Sequence, residues 1–314
     1  LPRKIHKIND FFVGFIYNRI LPLIKEAEWG IKMNVYIQTD IEGVAGWTSF
    51  EDRFSDSVEN FEHRRRMYRL LTHEVNAAVR AAKDCGADKI YVNDNHGSSY
   101  NIIFEELEPG CEIIHGRGGH FPTWLPSLDE GFDAMVQVGM HAMGGELGAI
   151  CPHSKWELND GDIYLSEASM AMAIAGDLGI PCVFVSGDQV LTAEVKEKNP
   201  AIELAVVKHA YAPFCCRSVL PGKAQEMIYE GAKRGLERIS EITPYKLKGP
   251  FKLNLLESEG HIPPLKPVLE KPVEGQTITD VFYNAVTAFP WNSFGKNIID
   301  YYRYPSNLSG KKPE

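Results

Sequence analysis

Two acids stand one residue apart where an apolar run ends: Asp40 and Glu42 in "VYIQTDIEGVAGW", followed at once by Gly43. Four more residues of similar chemistry each follow an apolar or helix-opening stretch. They are His96 in "NDNHG", His141 in "VQVGMHAM", His153 in "GAICPHSK" and Glu167 in "YLSEAS". A carboxylate beside a core is costly to ionise unless it is paired or given a cation. Histidine is the commonest metal-ligating side chain, and a mixture of Asp, Glu and His suits zinc or a similar divalent ion. At a strand end, with Gly43 letting the backbone turn, both acids can reach one cluster from different depths. Three histidines and three or four carboxylates exceed the three ligands that one catalytic zinc takes from protein, so the count favours two metals sharing a carboxylate.

A histidine after a strand is, taken alone, more often a hydrogen-bonded structural residue. Asp94 is read as an orienting or turn-capping residue of "NDN" rather than a ligand. His115 and His120, in "HGRGGH", are read as surface-loop residues, and His63, His73, His209 and His261 as structural.

These residues share an edge only if the intervening elements are strands and helices in alternation. "NVYIQT", "KIYVN", "CEIIHG", "FDAMVQVGM", "PCVFVSGD" and "IELAVVK" read as strands. Between them, residues 60–84 carry Met67, Leu70, Leu71, Val75, Ala78 and Ala82 at helical spacing, "SEASMAMAIAGDLG" reads as a helix closing at Gly179, and 192–198 as a short one. This rhythm predicts an α/β fold, a mostly parallel sheet with helices on both faces. In such sheets ligands gather beyond the carboxyl ends of the strands, where the six residues fall. Past residue 213 the rhythm changes. A helix from Ala224 to Ile239, the strand "PFKLNLLE", a proline-rich stretch and a helix over 277–289 suggest a smaller C-terminal α+β region. The expected organisation is a metal-binding α/β catalytic domain at 33–213, the smaller region at 214–305 and a polar tail at 306–314.

The chain is 314 residues long, 44% apolar and 24% charged, with a net charge of −9. That balance argues against a nucleic-acid partner, because phosphate binding needs a positive field. The cluster "HRRRMYR" is the exception and is read as a solvated helix face. Six cysteines without metal-type spacing fit a reducing cytoplasm. Residues 1–32 carry six basic residues against three acids, and their apolar part is too short and too interrupted to span a membrane. Met33 stands just before the first strand, so 1–32 is read as an N-terminal extension outside the fold. "HEVNA" lacks the second histidine of a zincin helix, no phosphate loop is present, and no serine sits in a nucleophile elbow.

Taken in order, "TDIEG", "VNDNHG", "VGMHA", "HSK" and "SEASMA" resemble the zinc-dependent D-aminopeptidases of the dipeptide-transport type. The Asp, Glu and Gly of the family's Ser-x-Asp-x-Glu-Gly signature are matched by Asp40, Glu42 and Gly43. "VFVSGD" and "VVKHA" resemble later segments of the family, and the likeness runs from Met33 to about residue 240. The resemblance implies a two-zinc site of Asp40, Glu42, His96, His141 and Glu167, with Asp40 as the natural bridge and His153 as the catalytic histidine. It further implies release of D-amino acids from short peptides and assembly into a homo-oligomeric ring.

The expected activity is hydrolysis of an N-terminal amide by water activated between two zinc ions. Of the two roles open to His153, direct nucleophile or proton carrier, the second is favoured because metal-bound hydroxide already supplies a nucleophile. Two competitors remain open on the residues alone: another dinuclear-metal hydrolase, acting on L-peptides, cyclic amides or phosphoesters, and a non-catalytic metal- or ligand-binding protein.

Overall fold

Strand order explains how residues far apart in sequence meet. The computed structural model describes residues 33–288 except 53, 54, 56, 98, 117–123 and 259–262. The expectations for residues 1–32, His120, His261 and the tail lie outside the described residues. From Asn34 onward the elements belong to the larger of two compact units, Asn34–Glu314.

Seven strands form the main sheet in the order β3-β2-β1-β4-β7-β8-β9. They are β1 (Met33–Thr39), β2 (Ala87–Asp94), β3 (Glu112–Ile114), β4 (Ala134–Met140), β7 (Cys182–Asp188), β8 (Glu203–Ala212) and β9 (Cys215–Ser218). The pairs β2–β3, β1–β4, β4–β7 and β7–β8 run parallel, and β9 closes the edge antiparallel to β8. β4 and β7 are buried at every residue, as continuous apolar runs covered on both faces should be.

Helix α1 (Val58–Asp84) is capped by Ser57, whose side chain accepts from the Asn60 N–H, and buries Met67, Leu71, Val75, Ala78 and Ala82. It packs with α4 (Pro221–Glu237) against the sheet, while α2 (Glu167–Asp177) packs on β4 and β7 and α3 (Gln189–Lys198) on β7 and β8, the two helices also meeting each other. Burying a Leu or Val in this way contributes about 1.5–3 kcal/mol each. α3 begins at Gln189 rather than at 192, because Asp188 at the end of β7 caps it, accepting from the N–H groups of Val190 and Leu191 at 3.0 and 2.9 Å.

A second sheet, β11-β10-β5-β6, is antiparallel through its β10–β11, β10–β5 and β5–β6 pairs. Its strands are β5 (Lys155–Leu158), β6 (Ile163–Leu165), β10 (Phe251–Glu257) and β11 (Lys266–Pro267), and β12 (Val273–Gly275) pairs with β10. It therefore joins chain from both sides of residue 213, and α4 lies on the main sheet. α5 (Ile278–Ala288) rests on β10 and α2. The strands β5, β9, β11 and β12 have no counterpart among the sequence expectations. Among the described residues no helix is long and apolar enough to cross a membrane.

Candidate metal centre

β1 ends at Thr39, and its neighbour β4 ends one residue before His141. The Asp40 N–H donates to the Val138 carbonyl at 2.9 Å, and the Gly43 N–H to the Gly139 carbonyl at 2.8 Å. The two strand ends are so close that a Cβ on Gly43 would run into the Met140 carbonyl. That contact explains the glycine after the two acids: only there can the chain turn while Asp40 and Glu42 stay over the end of β4.

His96 follows β2, whose turn is braced by Asp94. The Asp94 carboxylate accepts from the backbone N–H groups of Asn101 and Ile102 at 2.6 and 3.0 Å, and Asn101 donates onward to the His96 carbonyl. Asp94 thus caps the turn. Glu167 opens α2 behind the cap residue Ser166, which forms a capping box with Ser169. His153 lies in the segment before β5, flanked by Cys151 and Ser154 at φ +45° and +55°. Left-handed backbone at two non-glycine residues costs about 1–3 kcal/mol each and is the kind of strain that collects at functional sites.

These five elements bring all six candidates together. His96 Nδ1 lies 2.9 Å from Asp40 Oδ1 and 3.2 Å from Glu42 Oε2. His141 Nε2 lies 3.3 Å from Asp40 Oδ2 and 3.6 Å from Glu167 Oε1, and His153 Nε2 is 3.9 Å from the same Glu167 oxygen. Asp40 therefore reaches His96 with one oxygen and His141 with the other. Three overlapping groups could each hold a cation: Asp40–Glu42–His96, Asp40–His141–Glu167 and Glu42–His141–His153.

The rings carry their own record of which nitrogen is available. Nδ1 of His141 lies 2.8 Å from the Ala142 carbonyl and Nδ1 of His153 lies 2.9 Å from the Cys151 carbonyl. A carbonyl only accepts, so both Nδ1 atoms carry protons, and the Nε2 atoms face the carboxylates. His141 Nε2 and Glu42 Oε2 are buried without a well-formed hydrogen bond. A nitrogen lone pair turned toward carboxylates is repulsive unless a proton or a metal cation lies between, and this donor set of nitrogen and oxygen is that of zinc. The residues fit the metal.

Electrostatics agree. Burial, then the charge of Glu42, pushes Asp40 up to about 7. Burial also works against ionised Glu42 and Glu167, but His96 brings Glu42 well below the usual range and His141 brings Glu167 down to about 2. Against burial, hydrogen bonding to Glu167 and the charges around it raise His141 to about 10. His153 goes the other way, down to about 4, through burial and the charge on His141. Two ionised carboxylates, Glu42 and Glu167, thus face the two histidines, His96 and His141, that burial and charge treat most differently from His153. The cluster's open side is marked by exposure: His141 is closed off at 0%, whereas His153 and Glu167 keep 20% and 22% of their side chains accessible.

The profile of the peptidase M55 family, described as D-aminopeptidase, matches residues 33–261. This chain belongs to the D-aminopeptidase family. Its match begins at Met33, where β1 begins. The chain is similar to a D-aminopeptidase of Bacillus subtilis (strain 168), 27% identical over 218 residues that span 68% of this chain and 77% of that one. Its fold is similar to the solved structure of the Zn-dependent D-aminopeptidase DppA from Bacillus subtilis, a self-compartmentalizing protease. That likeness has a TM-score of 0.68 at 21% identity and covers 81% of this chain and 96% of the other.

Three further charged residues around the cluster were not read as part of it from sequence, although Lys208 lies in the family-like "VVKHA". Lys208 of β8 is 1% exposed, and its ammonium donates to the backbone carbonyls of Glu42, Val44 at 2.9 Å and Trp47 at 3.0 Å. Glu74 of α1 accepts the Ala45 N–H of the same loop at 2.9 Å. Glu51 reaches His96 from the side away from Asp40. His115 lies apart from the centre, stacked on Phe104 with ring planes 8° from parallel.

Proposed function

We propose that this chain is a zinc-dependent aminopeptidase that cleaves the N-terminal amide of short peptides and releases D-amino acids. Two zinc ions would be held by Asp40, Glu42, His96, His141 and Glu167, with Asp40 shared between them. The observation that carries this reading is the placement of Asp40, one oxygen toward His96 and the other toward His141. Bound there, the cations would supply Lewis acidity that polarises the scissile carbonyl and makes nearby water more acidic.

The chain's own residues do the rest. His153 is neutral at neutral pH and presents Nε2 on the open side of the cluster, so it takes a proton at that atom and returns it to the leaving amine. The Cys151 carbonyl fixes the tautomer, and the edge of Phe50, with ring centroids 5.4 Å apart, limits how far the imidazole can swing. Glu42 is buried and kept ionised, which suits a ligand rather than a proton carrier.

The reading extends to self-association into a homo-oligomer, supported by the relative's description as self-compartmentalizing. A solution mass several times that of one chain is the expected result from light scattering.

A panel of D- and L-aminoacyl amides beside a phosphodiester tests the activity. Hydrolysis confined to D-aminoacyl amides supports the proposal. Preference for L-amides or the phosphodiester would reassign the same site to another hydrolase, and zinc binding with no hydrolysis would make the chain a binding protein.

A further inference from the structure

Glu51 stands in the segment between β1 and α1, where nothing in the sequence marks it. Its side chain is 3% exposed, which is costly for a carboxylate unless its oxygens are fully used. Oε1 accepts from Arg64 Nε at 2.9 Å and from the Tyr68 hydroxyl, and Arg64 Nη2 donates to the Tyr68 oxygen at 3.0 Å. Arg64 and Tyr68 are four residues apart on α1 and share a face. Tyr68 is pushed up to about 12 by burial and by Glu51, so it stays a phenol and a donor. The other oxygen, Oε2, lies 3.3 Å from His96 Nε2. The basic stretch "HRRRMYR" therefore sends two of its residues inward, to the back of the metal centre.

We infer that Glu51 is a positioning residue for the group Asp40–Glu42–His96. It accepts the His96 Nε2–H, which keeps the proton on that nitrogen and turns the Nδ1 lone pair toward Asp40 and Glu42. An imidazole binds a cation only through a nitrogen without a proton, and a carboxylate behind the ring both selects the tautomer and makes the ligating nitrogen more basic. Arg64 and Tyr68 hold the carboxylate in place. The inference rests on the reading of His96 as a ligand.

The test is zinc affinity of the full chain, read by competition with a chelator, for Glu51→Ala, Glu51→Gln and His96→Ala, with melting of each metal-free protein alongside. Glu51→Gln keeps the volume and decides the matter if the alanine variant fails to fold. The expected result is a loss of about 10- to 100-fold in affinity for the weaker-bound zinc in both Glu51 variants, larger in the alanine variant, and loss of zinc in His96→Ala. Unchanged affinity in the Glu51 variants, with lowered melting temperatures and with His96→Ala losing zinc, would make Glu51 a structural ion-pair residue and overturn the inference alone. Full zinc content in His96→Ala would overturn the assignment of His96 and the inference with it.

Discussion

His141 and His153 lie ring on ring, with centroids 3.7 Å apart and planes 16° from parallel. Burial lowers the pKa of His153. His141 is fully buried among the carboxylates, while His153 keeps 20% of its side chain accessible. His153→Ala is expected to lower turnover by about a hundredfold or more while leaving the zinc content unchanged. Parallel measurement of kcat and metal content checks this, and loss of zinc in that variant would make His153 a ligand.

The close approach of β1 and β4 gives a prediction about stability. Gly43→Ala forces a methyl group into the Met140 carbonyl, and backbone on that side has no free rotamer with which to yield. The variant should be less stable by about 1–3 kcal/mol, seen as a lower urea midpoint at unchanged slope.

Glu74 predicts a pH dependence. Burial pushes its folded-state pKa up to about 7 from an ordinary 4.5, although the Ala45 N–H and the Lys208 charge work the other way. Between those two values the folded chain keeps a proton that the unfolded chain has lost, so stability falls as pH rises through this window. Glu74→Gln retains the acceptor for Ala45 and removes the titration. Relative to the variant, the wild type should lose on the order of 3 kcal/mol between pH 4.5 and pH 8. Urea melts of both proteins at the two pH values check it; a difference of the opposite sign would contradict the burial of an ionisable carboxyl there.

Asp40, Glu42, His96 and His141 were legible because each follows an apolar run that could only be a buried strand, and parallel sheets put such ends side by side. Glu167 was legible through the helix start around it. The segment of His153 was readable only as a loop, since its strand, "KWEL", is four residues long and is paired on one side with the three-residue strand Ile163–Leu165 and on the other with Phe251–Glu257, nearly a hundred residues later. A reading along the chain grouped 214–305 together, while the second sheet joins strands from before residue 213 with strands inside that range. Glu51 and Glu74 could not be found from sequence, and Lys208 stood out only as part of the family-like "VVKHA". Each is a charged residue whose partners are brought near by tertiary packing, and no local pattern gives its role away.

The account depends on Asp40 serving two cations at once. Metal analysis of the purified chain and of Asp40→Ala tests this most directly. The account predicts close to two zinc equivalents per chain in the wild type and the loss of both in the variant. A single equivalent in the wild type, or zinc content unaffected by Asp40→Ala, would contradict it.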